Sequence, residues 1–220
     1  VITAGGDVDI SGRVSAQTGD GKIIINSGND ITVEGLLPEG VVDDGNTLAA
    51  ESLLSASQAV HLNAANNITL ADSSKVTVDD GDTDGRSELV VQAGNEAILA
   101  GDITVMDQLV VDAGSNVSLQ GNLQAGQNID IDAGSMGTGS ITGDINASLQ
   151  TTLAGAVQLS AGSLGGDILL EGTSVTTQSS LSLDAENGTI THTGGQLTAD
   201  AIVMQSLNGV SALTNSSSLD

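Results

Sequence analysis

Asp80, Asp82 and Asp84 alternate along the stretch DGDTDGRSELVV, Gly85 follows them, and Glu88 stands at the ninth place counted from Asp80. Four carboxylates this close repel one another unless a counter-ion sits among them. Alternating aspartates, a glycine that permits a sharp turn and a closing acid form the arrangement by which a loop wraps an oxygen-seeking cation. In that scheme Asp80, Asp82 and Asp84 donate carboxylate oxygens, Arg86 offers its backbone carbonyl, and Glu88 closes the sphere around a calcium ion. The competing reading is a solvated acidic turn whose charge keeps neighbouring molecules apart. The loop departs from a helix–loop–helix calcium site, because its twelfth place is Val91 where that site carries a bidentate glutamate.

Other candidates are weaker. Asp43, Asp44 and Asn46 read as a solvated turn. Asp112 and Asp132 occupy the same place in successive repeats, so they are expected to stack one above the other, either as an ion ladder or as outward charges that suppress edge-to-edge aggregation. His61 lies between Val60 and Leu62 and is expected to point away from the core; His192, in TITHTG, is read the same way. Neither has a partner at catalytic or metal-ligand spacing. With no cysteine in the chain, disulfide scaffolds, thiol catalysis and Cys-based zinc sites are excluded. The Asn-x-Ser/Thr sites at Asn67, Asn116, Asn146, Asn187 and Asn215 read as turn residues.

What must position these groups is a repeat. Leu89, Leu109 and Ile129 recur at a 20-residue interval, and Val91, Val111, Ile131 and Gly94, Gly114, Gly134 keep the same spacing. Each unit reads apolar-x-apolar-x-Ala-Gly, then apolar-x-apolar-x-Gly, then a further apolar pair. Alternation of period 2 means strands with one face inward, and the glycines are expected to supply the positive φ of the corners. Three such short strands fit one coil of a parallel β-helix, a solenoid in which each coil buries its apolar face only against its neighbours.

Composition agrees. The 220 residues include no Phe, Tyr or Trp, 29 glycines and one proline, so the core must be narrow and built from Val, Ile, Leu and Ala. Four basic residues against 28 acidic ones give a formal charge of −24, which argues against nucleic acid or anionic lipid as a partner. No apolar run reaches the roughly 18 residues that span a bilayer.

The pattern breaks twice. Residues 36–57 lack the repeat's Ala-Gly turn and carry Leu, Ala and Glu at near-helical spacing from Leu48 to Leu54, and residues 72–88 interrupt the repeat again; both are expected insertions, the first a short helix or protruding loop. Counting apolar pairs, including Ile141 with Ile145 and a last set of Ile202, Val203, Leu207 and Val210, gives nine or ten coils, a rod roughly 40 to 50 Å long at the β spacing. Right-handed coiling is expected from the crossover rule. The start in mid-pattern, without Met, leads us to expect that residues 1–220 are one β-helix segment of a longer protein.

The runs VVDAGSNVSLQGNLQAGQNIDIDAG and LSLDAENGTITHTGGQLTADA resemble the repeats of filamentous-haemagglutinin-type adhesins, large bacterial surface proteins with a right-handed parallel β-helix shaft. The acidic loop resembles the calcium loops of integrin-type FG-GAP repeats, D-x-D-x-D-G-x-x-acid followed by a strand, here Leu89-Val90-Val91. The resemblance implies a secreted or surface-displayed structural and adhesive shaft that binds calcium and contacts a receptor on a host cell, a neighbouring cell or the matrix; whether the rods also self-associate is left open by the sequence. It does not imply membrane insertion. A polysaccharide-binding or polysaccharide-degrading β-helix is the alternative, though an enzyme of that kind needs basic residues or aromatic platforms for its sugars, so no enzymatic activity is expected. An ice-binding face would need matched threonines, which look scattered along the sequence.

Overall fold

The structure is a computed structural model that describes residues 1–34, 54–81, 86–135 and 137–212. Three parallel sheets of nine, nine and eight strands wrap around one core, and no helix occurs among the described residues. The first sheet runs from Ile2–Ala4 to Ala201–Ser206, the second from Val8–Ile10 to Val210–Ala212, and the third from Val14–Ala16 to Leu197–Thr198. Successive coils stack in register: Leu89 pairs with Leu109 and Leu109 with Ile129, as the repeat requires.

The apolar positions explain the register. In strand Gln108–Ala113, Leu109, Val111 and Ala113 are buried while Gln108, Val110 and Asp112 face outward. A one-residue slip would put the whole apolar set in water. Each buried Leu, Ile or Val contributes about 1.5–3 kcal/mol, which fixes the stacking without any aromatic residue.

The solenoid has about eight turns of about 24 residues each. The 20-residue period is thus a local property of the coils around Leu89–Ile131; about eight turns link the nine strands of each of the first two sheets, which matches the lower figure of the expected nine or ten coils. Corners absorb extra residues while strands keep their register, so Ile129 pairs with Val157 rather than with a residue 20 positions on. Ile145 is 78% exposed on such a corner and closes no coil. Of the last apolar set only Ile202 is buried; Val203 lies on the outer face opposite Ser182, and Leu207 and Val210 are exposed.

Both expected insertions are shorter than their sequence suggests. Leu54–Ala56 is a strand of the third sheet, paired with Val14–Ala16 on one side and with Lys75–Val78 on the other. Lys75–Val78 itself, inside the second expected insertion, buries Val76 and Val78 in the alternation of any other strand. Leu48 to Leu53, most of the stretch with near-helical spacing, lie outside the described residues.

The corner glycines act differently from expectation at Gly94. Its φ is not positive, but a Cβ there would meet the Ala65 carbonyl oxygen of the coil below at 2.1 Å, so close stacking of the corners excludes a side chain. Gly134, at φ 79°, does use the left-handed conformation.

Candidate functional site

The acidic loop leaves the third sheet after Val78 and enters the first at Glu88, so it spans one corner of the solenoid. At its start the Asp79 carboxylate accepts the Gly81 N–H at 2.8 Å, a local turn completed by the left-handed Gly81. Asp82 and Asp84, two of the five expected ligands, lie outside the described residues, as do Asp43, Asp44 and Asn46 of the weaker candidate. Asp80 is half-buried and Arg86 exposed. Among the described residues no three His, Cys, Asp or Glu side chains converge as a metal cluster.

The end of the loop is fixed by residues that sequence reasoning did not single out. Asp107, fully buried, accepts the Ser87 N–H through Oδ2 at 2.9 Å and the Gln127 side-chain amide through Oδ1 at 2.7 Å. Gln108 N–H also donates to the Ser87 carbonyl at 3.0 Å. One carboxylate therefore ties the loop, its own corner and the next corner together. The only signal in the sequence is a polar residue just ahead of Leu109, which reads as an ordinary corner.

Glu88 begins strand Glu88–Ala93 and faces outward. Its Oε1 is 2.8 Å from His61 Nε2 on the preceding coil. The expectation that His61 points out of the core is met, and its partner is one of the residues expected to close the ion site.

His192 is the reverse case. It is 1% exposed, stacked beside Leu170, with Nε2 3.3 Å from the Thr173 carbonyl oxygen. Ile190 points inward, so the residue two places on must share its side; the flanking threonines are the outward ones.

Asp112 and Asp132 are direct register partners. Partial desolvation, then the charges of Asp112 and Asp130, hold the Asp132 carboxyl above its usual range, and desolvation does the same for Asp130. The column continues on the same face through Thr3, Asn26, Asn63 and Gln92, where Asn63 donates to the Asn26 side-chain carbonyl at 2.9 Å. Asn26, Asn63, Gln92 and Asp112 edge an open groove of about 390 Å³ that runs along the corner.

A second ladder sits just before the strands of the second sheet. Asp30 Oδ1 accepts the Asn67 N–H at 2.9 Å, Asn116 Oδ1 accepts the Ser140 N–H at 3.0 Å, and Asp167 Oδ1 accepts the Thr189 N–H at 2.7 Å. Asn67 and Asn116 are turn residues as expected, with the added task of bonding coil to coil. Two of the threonines, Thr77 and Thr104, pair on the outer face of the third sheet, in a column that begins with Ser15 and Ser55 and continues to Gln124.

No family model, curated protein or solved structure matches this chain.

Proposed function

We propose that the chain is a structural and adhesive shaft segment of a large secreted or cell-surface bacterial protein, and that the Asp80–Glu88 corner takes up calcium. The observation that carries this reading is the uninterrupted stacking of three parallel sheets on an aliphatic core, with the acidic stretch falling between the third-sheet strand Lys75–Val78 and the first-sheet strand Glu88–Ala93. Such a body supplies length and stiffness, and inserted corners are where it can present chemistry without breaking register. The acidic outer columns need screening cations, as does the loop. The shaft works in adhesion or in cell-surface and matrix architecture, through a receptor on another cell or in the matrix.

Labelling intact, unpermeabilised cells of the source bacterium with an antibody to residues 1–220, with electron microscopy of the label, tests this. The reading expects surface label on rods or fibres and weaker attachment when the segment is deleted. Label seen only after permeabilisation would overturn it.

A second reading, binding of a polysaccharide, is favoured by the groove beside Asn26, Asn63, Gln92 and Asp112. Amide and carboxylate side chains at strand spacing are suited to rows of sugar hydroxyls. A glycan array probed with the purified chain separates the two readings.

A further inference from the structure

The outer face of the first sheet is self-complementary. On strand Lys22–Ser27 the outward residues are Lys22, Ile24 and Asn26; on Ala59–Ala64 they include His61 and Asn63; on Glu88–Ala93 they are Glu88, Val90 and Gln92. The register aligns Lys22 and Glu88 on either side of Ala59, Ile24 and Val90 on either side of His61, and Asn26 and Gln92 on either side of Asn63. Ile24, Val90 and the neighbouring Val110 are half-buried apolar groups on a face that becomes Asp130, Gln158 and Ser182 in later coils.

We propose that this face docks a second copy of the chain, with the two rods antiparallel about a two-fold axis lying along strand Ala59–Ala64. That operation carries the coil below the axis onto the coil above it and keeps the position along each strand. Lys22 of one copy then faces Glu88 of the other, Ile24 faces Val90, Asn26 faces Gln92, Thr3 faces Asp112, and His61 and Asn63 each face their own counterparts. A two-fold along the rod through the middle column would instead set Lys22 against Asn26, Glu88 against Gln92 and Gln108 against Asp112, so the Lys22–Glu88 pairing would be lost.

All four basic residues, Arg13, Lys22, Lys75 and Arg86, precede the coil that starts at Glu88, and no Lys or Arg follows. Only Lys22 lies on a strand of the first sheet, and the antiparallel two-fold uses it twice, once against each copy's Glu88. Isologous contact also closes at two copies rather than growing a filament.

Five coils by one six-residue strand cover roughly 500 Å² per copy at the strand spacings, which is at the low end of specific interfaces and makes the association weak. The experiment is sedimentation equilibrium up to about 1 mM protein in chelator, so that calcium plays no part. Wild type should dimerise, Glu88→Lys and Lys22→Glu should each weaken the dimer about tenfold, and the double exchange should restore it. Because the chain has no cysteine, Asn63→Cys can be joined by a short thiol cross-linker across facing sheets about 10 Å apart; it should link to itself, whereas Thr142→Cys on the second sheet should not. A monomer throughout, a double exchange no better than the singles, or equal linking of both cysteine variants overturns the proposal.

Discussion

Glu88 Oε1 lies 2.8 Å from His61 Nε2, so the residue that closes the acidic loop is held by the coil beneath it. Both side chains keep substantial exposure, 31% for His61 and 41% for Glu88, and exposed pairs are worth about 0–1 kcal/mol. Glu88→Gln should therefore change the free energy of unfolding by less than about 1 kcal/mol in denaturant titration. A larger loss would mean that Glu88 is a structural anchor.

Asp107 should behave in the opposite way. Asp107→Ala removes the acceptor for the Ser87 N–H and the Gln127 amide; the half-exposed amide can turn to water, but the buried Ser87 N–H is left unpaired at about 1–3 kcal/mol. Thermal or chemical unfolding should show a loss of about 1–3 kcal/mol, with the Asp79–Ser87 corner becoming protease-sensitive first.

Corner packing gives a third test. Gly94→Ala places a methyl where the Ala65 carbonyl oxygen stands, whereas Gly12→Ala meets nothing within 4 Å. The first should cost about 1–3 kcal/mol, the usual range for overpacking, and the second should be near neutral in the same unfolding experiment.

Asp132 yields a pH dependence. Its carboxyl is raised above the ordinary 3.8 by desolvation, Asp112 and Asp130, so the folded state holds this proton more tightly than the unfolded chain. The stability that the proton provides is fully present below 3.8 and is lost as pH rises through the raised value. At pH 7 Asp132→Asn should stabilise the fold, by less than about 1 kcal/mol after solvent screening. The gain should shrink below pH 4 and in high salt. A destabilised variant at pH 7 would contradict the ladder as drawn.

The repeated Leu89, Leu109 and Ile129 made the sheet register readable because identical spacing and strand parity act together. Corner lengths were not readable in the same way: a corner can grow, as between Ala133 and Ile141, without changing the inward pattern. Lys75–Val78 was hidden by the acidic residues around it, although Val76 and Val78 alternate like any core pair. His192 was misplaced because its threonine neighbours drew attention away from Ile190, whose inward direction sets its side. Asp107 and the His61–Glu88 pair act between coils, and no local pattern ties a residue to a partner 20 or 27 positions away. Of the expected ligands, Asp80, Arg86 and Glu88 fall on one corner, and the decisive aspartates Asp82 and Asp84 lie outside the described residues.

The central claim is a shaft whose chemistry is cation capture at one corner, and calorimetric titration with calcium of the wild type beside Asp82→Ala tests it most directly. The account predicts one-site heat for the wild type that disappears in the variant. No heat from either protein, or the same heat from both, would contradict it.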